Sequence, residues 1–419
     1  VFFTLALLAI YRLGIFVPSP GVNRDVMQEA VSSGPSLLGL FNLFSGGALE
    51  RFSVFALGIM PYISASIIIQ LLAVVIPKLE RLKKEGEQGQ KKITQYTRYG
   101  TIGICLVQGV WMARLLENLN DSNPGLLVNP GLEFMIVTVI SLTTGTAFLM
   151  WLGEQITERG VGNGISLIIT AGIVVAFPGG VLQTFQKVQD NTLQPIPGLV
   201  LALLMLGIVA TIVFFETAQR RIPVQYARRA SGRTVFAGES SYLPLKLNIS
   251  GVIPPIFASA MLIFPTTVAG YFPESTLAAT VQEALNPIDW RYNVLYVSLI
   301  IFFTFFYTAV VFNPVDVADN MKRSGSFIPG IRPGRQTAEH IDYVLTRITT
   351  GGAIYLGAVC VLPVILMRYF PIDFFYGGTS LLIVVSVGLR TIEEMEGYLI
   401  TREYEKVGEG GSSRLRDRV

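Results

Sequence analysis

The side chains that usually carry covalent chemistry are nearly missing from this 419-residue sequence, which holds one His and two Cys. A lone imidazole leaves almost no room for His-based acid–base catalysis or a His-rich metal site. Cys105 and Cys360 each fall inside an apolar run, so neither a disulfide framework nor a zinc cluster is on offer. The ionisable residues near apolar segments sit at their ends: Glu133, Glu154, Glu216, Arg114, Arg390, Glu393 and Glu394. Deeper polar residues are neutral: Ser64, Ser66, Gln70, Gln108, Thr143 and Thr144. Proton pumps and secondary transporters usually keep an ionisable group at membrane depth. No P-loop or dinucleotide fingerprint occurs, and Gly162-Asn163-Gly164 reads as a helix-start turn. The expectation is therefore a non-enzyme with no cofactor and no metal.

The elements that hold these residues are membrane helices. The chain is 51% hydrophobic and 15% charged, with a mean hydropathy of +0.54. A soluble domain carries about a quarter charged residues. A spanning helix needs roughly 20 mostly apolar residues. Ten such segments occur, at about 1–17, 53–76, 99–117, 133–152, 165–185, 198–215, 248–271, 292–312, 348–367 and 377–392. No run of short alternating segments is present, which argues against a β-barrel. The first segment has no basic region before it and no small-residue cleavage site after it. A trimmed or missing N-terminal stretch is expected rather than a cleaved signal peptide.

Lys and Arg set the orientation. Loop 77–98 holds Lys78, Arg81, Lys83, Lys84, Lys91, Lys92 and Arg98, and loop 216–247 holds Arg220, Arg221, Arg228, Arg229, Arg233 and Lys246. Loop 313–346 and the tail add Lys322, Arg323, Arg332, Arg335, Arg402, Lys406, Arg414, Arg416 and Arg418, and the short 4–5 loop adds Arg159. The opposite loops carry only Arg24, Arg51, Lys187, Arg291 and Arg368. Both termini and the even-numbered loops are expected in the cytoplasm.

Five spans in each half would invert the second half relative to the first, the pattern of transport folds. Two echoes support such a repeat. Gly58-Ile59-Met60-Pro61-Tyr62-Ile63 in span 2 resembles Gly251-Val252-Ile253-Pro254-Pro255-Ile256 in span 7. Gly164-Ile165-Ser166-Leu167-Ile168-Ile169 in span 5 resembles Gly378-Thr379-Ser380-Leu381-Leu382-Ile383 in span 10. Short matches of Gly, Pro and Ile also arise by chance in membrane helices. If the repeat is real, Ile63, Ile256, Ile169 and Ile383 become equivalent, with Ile59 and Ile165 one turn away. Aliphatic side chains converging on one axis would exclude ions by dewetting; ordinary interhelical packing of Ile looks the same in sequence. Between spans 1 and 2, Ser36–Gly47 is apolar, too short to cross, and ended by a Gly pair. It reads either as a stopper set inside protein or as an interfacial helix.

Several longer stretches go beyond composition: Phe41-Asn42-Leu43-Phe44-Ser45-Gly46-Gly47, Ala56–Ile67, Gly153-Glu154-Gln155-Ile156-Thr157-Glu158-Arg159-Gly160, Phe312-Asn313-Pro314, Pro329-Gly330-Ile331-Arg332-Pro333-Gly334 and Tyr376–Ile383. Together they resemble the SecY family of Sec translocon channel subunits, over essentially the whole chain. The resemblance implies an all-α polytopic fold of ten transmembrane helices in two inverted five-helix halves, 1–185 and 198–397, with a cytoplasmic tail at 398–419. It also implies a short plug helix after span 1. It further implies a pore ring at Ile59, Ile63, Ile165, Ile169, Ile256 and Ile383, and a plug containing Leu40, Phe41, Leu43, Phe44, Gly46 and Gly47. A lateral gate would run between spans 2–3 and 7–8, with Gln70, Asn248 and Phe264 as its candidate residues. Arg332, Arg220, Arg221, Arg228 and Arg229 would dock partners. Implied partners are SecE, SecG, the SecA motor, the ribosome, signal sequences and nascent chains, and membrane lipids, with SecDF and YidC as further candidates. The implied location is the bacterial cytoplasmic membrane. A small-solute transporter with inverted repeats and an ion channel are the competing readings.

One expectation adds helix geometry to the gate that the resemblance implies. Gln70 lies seven residues from Ile63, and Asn248 eight from Ile256, each toward the cytoplasm. At about 1.5 Å per residue both lie roughly 10–12 Å from the ring. An amide latch between them, with Ser250 or a span 3 residue, would contribute about 0.6–2 kcal/mol. Two unrelated polar residues with local partners are the alternative.

Overall fold

The computed structural model describes residues 1–33, 42, 45–122, 124–190, 195–226, 230–231, 234–235, 240–270, 276–285, 289–369 and 378–416. A helix lies at each of the ten apolar segments: Phe2–Gly14, Met60–Val75, Glu87–Ser122, Leu132–Arg159, Gly164–Gln189, Pro195–Thr217, Ile253–Gly270, Trp290–Val311, Arg335–Tyr369 and Gly378–Arg416. Spans 3, 9 and 10 run well past their apolar cores, because good helix formers such as Glu, Gln and Arg continue them. Span 2 is shorter than its apolar stretch. Residues 53–59 form turns, and Pro61 starts the helix in the first-turn position that tolerates proline. Its other end is set by Pro77, which pushes Ile76 to extended geometry (φ −95°, ψ 114°). There the chain bends by 104° into the basic helix Pro77–Lys84.

These helices are solvated by something apolar. On span 6 Leu199, Leu203, Leu206 and Phe214 are exposed, with no polar face to compensate. Hydroxyls on the spans return to their own helix, Thr304 Oγ1 to Ile300 O at 2.6 Å and Thr211 Oγ1 to Gly207 O at 2.8 Å. In lipid a polar group must be satisfied internally. The protein is a multi-pass membrane protein.

The chain forms two compact units, Val1–Phe185 with Ile383–Val419, and Gln186–Leu382. Within the first, span 1 packs on span 4, span 2 on span 3 and span 3 on span 4. Within the second, span 6 packs on span 9, span 7 on span 8 and span 8 on span 9. These three pairings match after adding five to each span number. From Ile383 on, the tenth-span helix packs with the first unit, where the sequence halves had kept 198–397 together. One cause is local: the Glu394 carboxylate accepts from Gly162 N at 2.8 Å, tying span 10 to the turn between spans 4 and 5.

The all-α reading missed a small sheet. In loop 216–247, β1 (Gln219–Tyr226) pairs antiparallel with β4 (Ser240–Lys246), and Ile222 faces Leu243 in the register. Two short strands, β2 (Ala230–Ser231) and β3 (Thr234–Val235), pair with each other, and β5 (Ser326–Phe327) adds to the free side of β1. The signal was present in β1, where Ile222 and Val224 are buried while Arg221 and Pro223 are exposed. Ile222, Leu245, Ile328, Ile341, Val344 and Ile348 form one hydrophobic core under this sheet. Two loops far apart in sequence are thereby joined, through the extended start of span 9, into one platform.

Candidate functional site

The two sequence echoes carry matching backbone devices. Gly58 has φ +57° and Gly251 φ +62°, left-handed values that favour glycine, and each precedes a helix with proline in its first turn. Four residues after Ile59, Ile63 N bonds Ile59 O at 3.1 Å; at the equivalent place Ile256 N bonds Val252 O at 3.4 Å. The second echo shares a different device. Gly164 opens span 5 against span 4, where a Cβ would run into the Gly153 carbonyl. Gly378 opens span 10 against span 9, where a Cβ would run into the Val359 carbonyl. Next to Gly378, Thr379 Oγ1 lies 2.9 Å from Tyr296 Oη, and it donates to Cys360 Sγ at 3.8 Å. Both devices fix where an isoleucine follows.

Of the ring candidates, Ile59, Ile63, Ile169 and Ile383 are buried, and Ile165 and Ile256 are half-buried. Ile59 and Ile63 lie one turn apart, as do Ile165 and Ile169, so each pair shares a helix face. Gly153 sits beneath Ile165, and a Cβ there would come within 2.9 Å of Ile165 Cγ1. Gly153 thus positions a ring candidate, a role the sequence reading had not assigned.

Among the plug candidates, Gly46 and Gly47 are described; Leu40, Phe41, Leu43 and Phe44 lie outside the described residues. The stretch at 42–50 is tied to itself and to span 1. Asn42 donates from Nδ2 to Glu50 Oε2 at 3.2 Å and accepts from Glu50 N at 3.0 Å. Gly47 N donates to Asn42 O at 2.9 Å. From span 1, Tyr11 Oη donates to Ser45 O at 3.4 Å and Arg12 Nη1 to Gly46 O at 3.0 Å. Gly46 (φ +67°) presses on span 5 so closely that a Cβ would sit 2.8 Å from Gly172 Cα. Tyr11, Arg12 and Gly172 are neighbours of the plug candidates that no pattern in the sequence pointed to; their signal is tertiary.

The gate candidates have local partners. Gln70 Nε2 donates to Ser66 Oγ at 3.0 Å, one turn back on span 2. Asn248 is buried; its Nδ2 donates to Glu216 Oε1 at 2.7 Å and Gly251 O at 3.1 Å, and its Oδ1 accepts from Ser250 Oγ at 3.1 Å. Both donors of that amide are used within the second unit, forming a clamp between the end of span 6 and the start of span 7. Phe264 lies in the span 7 helix, with its side chain outside the described residues.

Of the docking candidates, Arg220, Arg221 and Arg332 sit on the platform. Arg220 and Arg221 are exposed on β1, with Arg221 Cζ 5.0 Å from the Tyr242 ring on β4; Arg228 and Arg229 lie outside the described residues. Arg332 is exposed directly after a turn closed by Ile331 N to Ile328 O at 3.1 Å, and Thr337 Oγ1 donates to its carbonyl at 3.0 Å. Ile328 in the core and Ile331 packed against it anchor that turn. The Phe312-Asn313-Pro314 motif is a helix cap: Asn313 Oδ1 accepts from Val315 N at 3.1 Å at the head of Pro314–Ser324.

The family profile that matches this chain, SecY, covers residues 53–392. The chain belongs to the SecY family. Protein translocase subunit SecY of Escherichia coli is 48% identical over 407 residues, 96% of this chain and 92% of that relative. The SecY subunit of Vibrio cholerae is 48% identical over 413 residues, 97% and 92% of the two chains. A SecY from Rickettsia bellii is 44% identical over 415 residues, 97% and 94%. A solved structure described as "The structure of a protein conducting channel" matches with TM-score 0.67 at 17% identity, covering 94% of this chain and 90% of that one. Canine Sec61 in a ribosome–channel complex from the endoplasmic reticulum matches with TM-score 0.62 at 17% identity, covering 94% and 90%. At those identities the structural likeness bears on the fold, and the fold is that of SecY and Sec61 channels.

Proposed function

We infer that this SecY-family chain is a protein-conducting channel that passes unfolded secretory polypeptides across the bacterial cytoplasmic membrane and releases transmembrane segments sideways into lipid. The observation that carries the reading is near-full-length identity to translocase subunits named SecY. The neutrality of the membrane interior supports it over solute transport, since a coupled transporter usually keeps charge at depth. The Lys and Arg distribution supports cytoplasmic termini and a cytoplasmic platform.

A translocating chain presents every side-chain type in turn, so its path cannot depend on specific hydrogen bonds. Ile59, Ile63, Ile165, Ile169, Ile256 and Ile383 supply weak, non-directional contact that yields to groups of different size while excluding ions. The segment around Leu40, Phe41, Leu43, Phe44, Gly46 and Gly47 acts as the plug, with the bonds at 42–50 as its stem. Sideways exit is a partition test. Each Leu, Ile or Phe gains about 0.3–0.6 kcal/mol on entering lipid, and each Lys or Asp opposes by about 2.5–3.5 kcal/mol. Gln70, Asn248 and Phe264 mark the helices of that gate. SecA or a ribosome docks on Arg332, Arg220, Arg221, Arg228 and Arg229; SecE and SecG are the accompanying subunits, with SecDF and YidC as further candidates. The ribosome-bound state of the Sec61 relative supports the ribosome as one such partner.

Reconstituted in liposomes, the chain is expected to conduct few ions at rest, and deletion of 36–47 to raise that conductance severalfold. Saturable uptake of a small solute, with conductance unaffected by the deletion, would refute the channel reading.

A further inference from the structure

Where span 1 ends, three guanidinium groups meet one residue. Arg12 Cζ lies 5.6 Å and Arg51 Cζ 4.4 Å from the Phe16 ring centroid. Arg24 Nη2 donates to the Phe16 carbonyl at 2.7 Å. Among the described residues no carboxylate forms an ion pair with any of the three; the neighbouring Glu50 is engaged by Asn42. Cations gathered on one ring repel, and a guanidinium presents a planar fork suited to phosphate oxygens. Arg24 and Arg51 are also two of the few basic residues on their side of the membrane, so their meeting is not a sample of a generally basic surface.

The surroundings select the kind of phosphate. Phe16 is half-exposed, and along the same stretch Ile10, Leu13 and Val17 are 44%, 69% and 52% exposed. Such groups face lipid tails rather than water in a membrane helix. We propose that Arg12, Arg24 and Arg51 bind the phosphate of an anionic phospholipid at the membrane boundary, with its acyl chains along Ile10, Leu13 and Val17. Free phosphate would satisfy the guanidiniums and leave the apolar stripe without a use. Because Arg12 also holds Gly46 O, the bound headgroup bears on the stem at 42–50. The inference rests on the membrane-spanning fold alone and stands or falls apart from the conducting activity.

The test is native mass spectrometry of the full-length chain in detergent, titrated with phosphatidylglycerol or phosphatidylethanolamine. The basic loops of the opposite face hold their lipids in every variant, so the readout is the difference between proteins. R24Q/R51Q is expected to retain one fewer phosphatidylglycerol per chain, with occupancy of that lipid down about tenfold, and to bind phosphatidylethanolamine like the wild type. Inorganic phosphate at the same concentration is expected to leave that lipid in place. An unchanged phosphatidylglycerol count in R24Q/R51Q overturns the proposal. So does displacement by inorganic phosphate, which would mark a free-anion site, or equal loss of both lipids, which would mark an apolar groove. If the double variant melts early, R51Q against R51K decides: R51K is expected to keep the lipid, R51Q to lose it, and no difference between them overturns the proposal.

Discussion

Gly164→Ala and Gly378→Ala are each expected to lower the melting temperature of the purified chain, by a similar amount. At both positions the added methyl meets a backbone carbonyl of the preceding span, Gly153 O or Val359 O, and neither atom belongs to a flexible side chain that can swing aside. The helices must separate instead, and forced overpacking of this kind costs about 1–3 kcal/mol. At Gly378 the shift also strains the Thr379–Tyr296 contact. The same two helices contain their own controls. Gly179 in span 5 and Gly388 in span 10 have open space where a Cβ would stand. Alanine there removes backbone freedom from the unfolded chain and is expected to be neutral or to stabilise by about 0.4–1 kcal/mol. Thermal melts of the four variants in one detergent check the prediction. Equal behaviour of the tight and open positions would contradict it, and a large effect at only one of the two tight glycines would break the equivalence of spans 5 and 10.

Arg332→Glu is expected to weaken docking of SecA or the ribosome by tenfold or more while leaving the fold intact. The side chain is exposed, so folding gains little from it. Its backbone, by contrast, is held by Thr337 and by a turn anchored in the platform core, which removes the backbone's share of the ordering cost at binding. Reversing the charge of a well-ordered interface arginine costs at least the ~2 kcal/mol typical of a hot spot. Arg335, three residues on, is equally exposed but already paired with Glu339 at 3.0 Å. Arg335→Gln is expected to change binding by less than about twofold, in line with the small worth of exposed pairs. Equilibrium binding of each partner to wild type and both variants, with melting curves as the folding control, checks the pair of predictions.

How much of this was legible in the sequence differs by element. The helices at the ten apolar segments were, because burial in lipid demands long apolar runs; among the described residues six are long and apolar enough to cross, or seven with the bent pair Met60–Val75 and Pro77–Lys83. Their ends were less so: spans 3, 9 and 10 continue as polar helix beyond the apolar window, and the bend at Ile76 was written only in Pro77. The Gly58/Gly251 and Gly164/Gly378 echoes were visible as letters, yet only coordinates reveal that the first pair shares a positive φ and the second a near-contact with the preceding span. The small sheet hid behind its arginines, since β1 alternates over too few residues to stand out in a basic loop. Helix rise fixes height along the membrane but not azimuth, and the Asn248–Glu216 clamp joins residues thirty-two apart that no spacing pointed to. The grip of Tyr11, Arg12 and Gly172 on 45–46 joins segments far apart in sequence and leaves no periodic trace.

The most direct test of the central claim is site-specific crosslinking during translocation. With a photoreactive residue replacing Ile63 or Ile256, and a secretory precursor stalled part-way by a folded domain, both positions are expected to crosslink to the precursor. The same probe at exposed Leu203 on span 6 should capture lipid instead. Precursor adducts at Leu203, with none at Ile63 or Ile256, would contradict an isoleucine-lined path.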